Sequence, residues 1–500
     1  MTNPSALCLL DWVTIAVFFA VMVAVGAYYG RRTFSSQFFG DDRSVPWWLS
    51  GVSFWMNTFS ALAFVMYSAL AYKFGYVAIA LSWVTVPFYF FIGRIIAPRW
   101  RRAATKSPID YISIRYTPGM CRFMAVLGLP MQLLDNALKL LAIGTVVGVG
   151  MGFPIVSSIA VSGAIIIVYT FLGGLKAALA CDFIQFFVIL ALLVALPFIS
   201  AERLAQTDGG TGIVCGIKAL LAKAPAGFFS STADKYDWVY IVVFIVMCIC
   251  TSSTNWSLVQ RYYSTRSEKD AKKVVGLVTV LYIITPVFMY FPAMAARVFM
   301  PGLPESEMNG VYAALCREVL PTGAMGLVIA AMFSATMSSL AGNFNAIATV
   351  VLGELPQRLC QDVASRRRLG RIATVVVGLS VIGLTFAMKY IQGADDLFNL
   401  SNKVFGVFIP AISIPMLAGL FVRRFSKRSG MFAMLCGMAF GLVFFSFGGK
   451  WPWIREITCM FPATATVTVI CLFAGTRFFR DSPSEREGVD AFFAKLSHRG

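Results

Sequence analysis

A few ionisable side chains lie inside otherwise apolar stretches of the sequence, where charge is costly. Asp182 lies in one such stretch, and Asp135 and Lys139 lie four residues apart in another. A buried carboxylate needs a cation or hydrogen-bond donors, so Asp182 is a candidate to bind a cation or carry a proton. A helix cap at the start of its segment is the alternative. Asp135 and Lys139 could neutralise each other across one helical turn or line a solute cavity, and both alternatives stay open.

Catalytic constellations of the usual kinds do not emerge from the sequence. The one histidine, His498, is almost at the C-terminus, and the 11 cysteines form no CxxC motif. Without an imidazole base most hydrolase mechanisms are excluded, so we predict that the chain is not an enzyme. The cysteines are expected to be small core residues, and pairing of Cys215 with Cys316 stays open.

Hydroxyl and amide side chains form clusters within three of the apolar stretches, at Asn57–Ser60, Thr251–Asn255 and Ser334–Asn343. Such clusters can satisfy a locally unwound backbone, although serine and threonine also pack between helices and bond to their own carbonyls. The first two clusters occupy corresponding places in two sets of five apolar stretches. Polar interruptions placed in this way indicate a transporter binding site.

The elements that must position these residues are membrane-spanning helices. Hydrophobic residues make up 58% of the chain and charged residues 13%, which excludes an ordinary soluble protein. An all-α protein with thirteen spans is predicted from stretches of about 20 apolar residues. Numbered zero to twelve, the predicted spans are 8–30, 46–72, 76–97, 122–150, 154–172, 180–200, 237–258, 274–298, 322–352, 372–391, 397–421, 430–448 and 455–476.

Basic residues are concentrated in every second loop between these spans, chiefly in the runs Arg99–Arg102, Arg366–Arg368 and Arg423–Arg428. The positive-inside rule therefore predicts an N-terminus outside and a C-terminus inside. The same placement explains the net charge of +18 without a nucleic-acid partner.

Four ordered motifs resemble the sodium/solute symporter family, which includes sodium/glucose, sodium/proline and sodium/sialic acid cotransporters. The resemblance extends from about residue 10 to 475. The motifs are Tyr169–Leu175 with Asp182 and Gln185, Asn255–Tyr262, Met337–Leu340 with Phe344 and Asn345, and Leu417–Phe421 with Gly430.

The resemblance implies the five-plus-five inverted repeat of the leucine-transporter (LeuT) fold, with span one broken at mid-depth. The repeats would be residues 46–200 and 237–421, separated by an outer loop at 201–236. Residues 1–45 would add span zero and a loop, 422–476 two further spans, and 477–500 an inner tail.

The family's shared sodium site maps onto oxygen atoms of spans one and eight. The resemblance implies backbone carbonyls of Met56, Phe59 and Ala335, with the hydroxyls of Ser338 and Ser339. Na⁺ is a hard cation that prefers oxygen, and unwound backbone supplies it without a buried countercharge. Sodium is therefore the predicted coupling ion.

A second sodium in some members lies between the counterpart of Asp182 and two further hydroxyls of span eight. Ala341 and Gly342 stand at the matching positions here. We therefore predict one sodium per cycle, with Asp182 as a possible second cation or coupling residue.

The transported solute stays open between a sugar, a sialic acid and a related compound. Leu62 and Ala63 stand where sugar-transporting relatives carry polar side chains, and the span-three arginine of some sialic acid transporters is absent. The residues expected to face the solute are Thr58, Ser60, Asp135, Asn136, Lys139 and Asn255.

The predicted function is sodium-coupled symport of a small polar solute by alternating access. The chain would be a multi-pass protein of the plasma membrane, in contact with lipid, as a monomer or weak homo-oligomer. One alternative is a proton-coupled symporter of the same fold with Asp182 as the carrier. Another is a solute sensor that does not transport, although the tail after Arg477 is too short for a signalling domain.

Overall fold

The computed structural model describes residues 7–32, 45–103, 108–172, 175–234, 236–354, 363–390, 397–448 and 450–497. Within these ranges the regular structure is helical, with two isolated β-bridges and no β-strand. Two short 3₁₀ helices, Glu305–Gly310 and Pro452–Arg455, complete the set. In chain order the α-helices are α1 Leu9–Arg32, α2 Trp47–Thr58, α3 Ala61–Phe74, α4 Val77–Trp83, α5 Val86–Ala103, α6 Pro108–Arg115, α7 Pro118–Met151, α8 Ile155–Leu172, α9 Leu175–Gln206, α10 Ile213–Lys223, α11 Trp238–Thr254, α12 Trp256–Tyr263, α13 Glu268–Phe299, α14 Val311–Val319, α15 Met325–Glu354, α16 Val363–Tyr390, α17 Leu397–Phe421, α18 Ser429–Phe447, α19 Ile457–Phe478 and α20 Pro483–Ser497.

Nine helices of the described ranges are long and apolar enough to cross a membrane, or up to eleven if each of two bent pairs forms one span. Two shorter apolar helices, Ile155–Phe171 and Phe405–Phe421, fall in predicted spans four and ten. The chain is therefore a multi-pass membrane protein, as predicted. Helix α16 starts nine residues before predicted span nine because the basic run Arg366–Arg368 continues the helix beyond its apolar part.

Two helices of the bundle are interrupted. Helices α2 and α3 meet at 58°, and α11 and α12 meet at 56°. Phe59 and Ser60 have extended backbone angles between the first pair, and Asn255 does so between the second. The first break lies within the polar cluster of span one, and the second at the end of the cluster of span six, where the sequence indicated that the helices are interrupted.

Helix α15 forms the centre of the molecule. In its apolar part 94% of the residues are buried, compared with 28% for α1 and 72% for α7. It packs against α1, α2, α7, α8, α9 and α16. Its small residues allow this close approach, since a Cβ atom added at Gly342 would lie 2.2 Å from the amide oxygen of Asn57 in α2.

A buried arginine closes the end of α17. Arg115 of α6 is inaccessible to solvent and donates hydrogen bonds to the carbonyls of Gly419, Val422 and Phe425 over 2.9–3.1 Å. The last carbonyls of a helix have no partners within the helix, and a cation there also interacts favourably with the helix dipole. Arg115 thus fixes the short helix α6 against the end of α17.

The C-terminal helix α20 docks on the same end of the bundle through one apolar stripe. Val489, Phe492 and Leu496 are buried, and the ring of Phe492 lies 5.7 Å from that of Tyr111. The guanidinium of Arg102, at the end of α5, donates to the Leu496 carbonyl over 3.0 Å. The tail therefore folds as part of the bundle.

Cysteine pairing, which the sequence left open, is resolved by the geometry. Cys215 and Cys316 are both free thiols, as are the other cysteines of the described ranges. Cys316 is buried in α14, away from any partner thiol.

We expect Phe492→Ala to undock α20, because deleting a buried phenylalanine side chain costs about 3 kcal/mol or more. Limited proteolysis of the purified protein should then cleave the tail faster than in the wild type. Phe493→Ala is the matched control, since its neighbouring ring is only partly buried and should give a smaller effect. Equal resistance of Phe492→Ala and wild type would contradict the docking described here.

Candidate functional site

The break in span one is attached to α15 by a side chain. The backbone N–H of Ala61, the first residue of α3, donates to the Thr336 hydroxyl over 3.1 Å. That hydroxyl donates in turn to the Met332 carbonyl over 3.0 Å. Helix α2 ends with the N–H of Phe59 on the Trp55 carbonyl, and the carbonyls after Trp55 have no later helical turn to bond to. Backbone oxygens of Met56 and Phe59 are thus available at the break.

Two hydroxyls of α15 differ from their neighbours. Ser334 and Thr336 each donate to the carbonyl four residues earlier, over 2.8 and 3.0 Å. The hydroxyl oxygens of Ser338 and Ser339 are equally buried; that of Ser339 has no hydrogen-bond partner among the described residues, and that of Ser338 faces the Asp182 carboxylate without a close hydrogen bond. A buried hydroxyl without a partner costs about 1–3 kcal/mol. Ser338 and Ser339 therefore provide oxygen atoms that a bound cation would satisfy.

Asp182 belongs to a buried charge cluster rather than to a helix end. Helix α9 begins at Leu175, so Asp182 lies too far along it to act as a cap. One carboxylate oxygen of Asp182 accepts a hydrogen bond from the Ser53 hydroxyl and lies 4.0 Å from a guanidinium nitrogen of Arg261. Asp182 and Arg261 are each 1% exposed. The carboxylate is therefore paired with a cation that the protein itself supplies.

Arg261 is held in place by neighbours of both broken helices. Its Nε donates to the Ser53 hydroxyl over 3.2 Å, and its Nη1 donates to the Ser257 carbonyl over 2.9 Å. Among the described residues, the second oxygen of Asp182 and the amide oxygen of Asn57 have no hydrogen-bond partner. These oxygens, together with those of Ser338 and Ser339, surround the junction of α2, α9, α12 and α15.

The part of α15 that the family resemblance aligns with a second sodium site, at Ala341 and Gly342, is packed closely by protein atoms. A Cβ atom at Gly342 would lie 2.2 Å from the Asn57 amide oxygen and 3.3 Å from a guanidinium nitrogen of Arg261. A serine or threonine there would collide with Asn57, so a hydroxyl side chain has no room at this position.

Asp135 and Lys139 neutralise each other on α7, as one of the two sequence interpretations proposed. Lys139 donates to Asp135 over 2.6 Å. Asn343 of α15 donates to the Asn136 amide oxygen over 2.8 Å and lies 3.4 Å from the same oxygen of Asp135. The four side chains form one polar contact between α7 and α15.

A central cavity of about 280 Å³ lies beside the break of span one. Its walls come from α3, α4, α5, α11, α12, α13 and α17, with two residues of the α2–α3 junction. The lining residues are Thr58, Phe59, Ala63, Met66, Tyr67, Leu81, Ser82, Thr85, Tyr89, Phe244, Met247, Cys248, Ile249, Thr251, Ser252, Leu258, Tyr282, Thr285, Pro286, Tyr290, Asn402 and Phe405. Such a mainly apolar cavity with a few convergent polar groups is typical of a small-molecule site.

Of the six residues predicted to face the solute, Thr58 alone lines this cavity. Ser60 is buried at the start of α3. Asn255 caps α12, because its amide oxygen accepts from the N–H groups of Ser257 and Leu258, and it borders a separate cavity of about 40 Å³. Asp135, Asn136 and Lys139 lie in the polar contact on α7 described above.

Two residues of the site were not assigned from the sequence. Tyr282 of α13 donates to the Thr58 hydroxyl over 2.8 Å, and Thr336 holds the start of α3. A single tyrosine in an apolar helix belongs to no recognisable sequence pattern, so no pattern indicated that Tyr282 is part of the site. Thr336 was visible in the polar cluster of span eight, but its bond to Ala61 joins residues 275 positions apart.

Comparisons with known proteins identify the family and the fold. The family model described as "Sodium:solute symporter family" matches residues 38–437. The sodium/sialic acid symporter NanT of Aliivibrio fischeri is 25% identical over 90% of this chain and 88% of its own length. The sodium/glucose cotransporter of Vibrio parahaemolyticus is 22% identical over 87% of this chain and 85% of its own length.

Among solved structures, a substrate-bound, outward-open Na⁺-coupled sialic acid symporter superposes with a TM-score of 0.79 at 20% identity, covering 95% of this chain and 98% of that one. The nucleobase-cation symporter Mhp1 superposes with a TM-score of 0.53 at 15% identity, covering 90% and 97%. These likenesses show a LeuT-like fold. Because the family model covers most of the sequence, the chain belongs to the sodium:solute symporter family.

Proposed function

We propose that the protein carries out sodium-coupled symport of a small organic solute by alternating access. The observation that carries the proposal is the group of buried oxygens without partners beside the break of span one. In a bilayer such atoms persist where they line a cavity or bind an ion. The relatives named above are sodium-coupled symporters, which supports the same coupling ion here.

The sodium ion would bind between α2 and α15. The carbonyls of Met56, Phe59 and Ala335 and the hydroxyls of Ser338 and Ser339 are the proposed ligands. All five residues are buried, and the Ala61–Thr336 hydrogen bond draws the break of span one onto α15. No group of three or more His, Cys, Asp or Glu side chains that could hold a metal ion occurs in the described ranges. Neutral oxygens suit a monovalent hard cation.

Coupling follows from where this site lies. The proposed ion joins an interrupted helix to the central helix, so its binding would favour the conformation in which these two helices stay together. Thr58 and Phe59, at the same break, line the solute cavity. Ion and solute would thus act on one flexible junction, which is how a cation gradient can drive a solute. Each charge that enters gains about 2.3 kcal/mol per 100 mV of membrane potential.

We propose one sodium per transported solute. The Arg261 guanidinium already supplies a positive charge 4.0 Å from Asp182, and Gly342 leaves no room for another hydroxyl. The same pair argues against Asp182 as a proton carrier, because protonating it would leave Arg261 buried without its counter-charge.

The remaining features of the sequence prediction belong to the same proposal. We propose thirteen spans arranged as two inverted repeats of five with three additional helices, in the plasma membrane. The N-terminus would lie outside and the C-terminus inside. The fold likeness and the positions of the two broken helices, one in each proposed repeat, support this arrangement.

Removing one proposed ligand should weaken sodium binding without unfolding the protein. In a thermal-shift titration of purified protein, we expect Ser339→Ala to raise the sodium concentration for half-maximal stabilisation roughly 10- to 100-fold, since a bond to a charged group is worth about 1.5–3 kcal/mol. Ser334→Ala is the matched control, because its equally buried hydroxyl bonds to its own helix. An identical response of the two variants would overturn the assignment.

The stoichiometry can be tested independently. In proteoliposomes, uptake of any solute found to be transported should require a sodium gradient, and the ratio of sodium to solute taken up should be one. A ratio of two would contradict the role given to Gly342 and Arg261. Uptake driven by a pH gradient in the absence of sodium would favour the proton-coupled alternative.

A further inference from the structure

Among the residues that the structure describes, no charged side chain lines the central cavity. None of its lining residues is Asp, Glu, Lys, Arg or His. The nearby buried charges are already paired, Asp182 with Arg261 and Asp135 with Lys139. A charged solute would therefore lose its hydration without meeting an opposite charge, which is strongly unfavourable.

Five hydroxyls of the wall have already donated their protons. Hydroxyls of the wall donate to carbonyls of their own helices over 2.8–3.2 Å, as seen for Thr58, Ser82, Thr85, Thr251 and Ser252. Hydroxyls in this state accept hydrogen bonds from a ligand and cannot donate.

Two further polar groups of the wall add to this pattern. The amide nitrogen of Asn402 donates one of its two protons to the Tyr240 hydroxyl over 2.8 Å, and its amide oxygen stays an acceptor. The Tyr282 hydroxyl donates to Thr58. A solute rich in hydroxyl donors fits such a wall.

Aromatic rings form much of the remaining surface. The rings of Tyr67 and Tyr290 stack with centroids 5.3 Å apart, and those of Tyr89 and Tyr282 meet edge to face at 5.5 Å. Phe244 and Phe405 add two further rings. Flat apolar surfaces of this kind pack against the C–H faces of a compact ring. With about 280 Å³ available, the cavity is at the lower end of ligand sites, which favours a single small ring.

The proposed sodium ion helps to distinguish cationic, anionic and uncharged solutes. A positively charged solute would share the low-dielectric interior with Na⁺ and be repelled. A carboxylate would meet hydroxyls that have already donated their protons and, within the described part of the wall, no cationic side chain. An uncharged solute rich in hydroxyl donors meets both requirements.

Resting on the proposed function, we infer that the cavity takes an uncharged, polyhydroxylated solute of monosaccharide size, and that it rejects carboxylated sugars such as sialic acid. The inference separates this chain from its relative NanT, whose solute is a sialic acid. It rests on the wall chemistry of this chain alone.

A ligand panel tests the charge class directly. Purified protein would be examined by thermal shift in sodium chloride and in potassium chloride with D-glucose, D-mannose and myo-inositol, with N-acetylneuraminate, and with choline. We expect sodium-dependent stabilisation by at least one neutral compound and none by the other two. Stabilisation by N-acetylneuraminate or choline, or by no neutral compound, would overturn the inference. Loss of all sodium dependence would instead count against the proposed function.

Charge movement gives a second readout. For the neutral compound that binds, proteoliposomes should move one positive charge per sodium ion, whereas a monovalent anion carried with one sodium would move none. A ratio of charge to sodium near zero would contradict an uncharged solute even if transport still required sodium.

A matched pair of variants places the solute in this cavity. Thr251→Val removes an acceptor from the wall and should weaken binding of the neutral compound roughly 5- to 10-fold, the effect of one hydrogen bond. Thr14→Val is the control, because Thr14 makes the same bond to the carbonyl four residues earlier but lies on α1, outside the cavity. Sodium binding without solute should be unchanged in both. Equal solute affinities would contradict the proposed location.

Discussion

A helix that is interrupted inside a membrane needs partners for its backbone from elsewhere in the protein, and this constraint organises the whole molecule. The hydrocarbon core offers no water to satisfy a free N–H or carbonyl. At the break of span one the partner is Thr336 of α15, which accepts from the Ala61 N–H. Helix α15 must therefore be central and buried, as observed. The same break exposes the carbonyls proposed to bind sodium. One interrupted helix therefore both requires close packing against α15 and supplies oxygen atoms for the proposed sodium site.

The buried charges nearest to the site form a second constraint, because they are paired with each other. Asp182 is paired with Arg261, and Asp135 with Lys139. Removing one member of such a pair is far more costly than removing both. None of these four residues lines the central cavity, whose described wall has no charged side chain, and the transported cation is proposed to use neutral oxygens. Small residues make the arrangement possible, since at Gly342 the Asn57 amide and the Arg261 guanidinium approach the backbone of α15.

The sequence was sufficient for the class of fold and the place of the breaks, because both depend on local patterns. Long apolar stretches and the polar cluster Asn57–Ser60 are visible without knowledge of the tertiary structure. Family membership and the sodium-coupled transporter class were likewise predicted correctly from short motifs. The solute residues were harder. Asn255 caps a helix, and Asp135 and Lys139 bond to each other, because polar residues in spans are also used to satisfy their own surroundings. Tyr282 meets Thr58 across 224 positions of sequence, a contact that no local spacing indicates.

The central claim is that oxygens of the broken span and of Ser338 and Ser339 hold one sodium ion. Equilibrium binding of radioactive sodium to the purified protein, measured without solute by scintillation proximity, tests it most directly. The account predicts saturable binding of one ion per molecule in the wild type and its loss in the double variant S338A/S339A, with binding retained in S334A. Unchanged binding in S338A/S339A would contradict it.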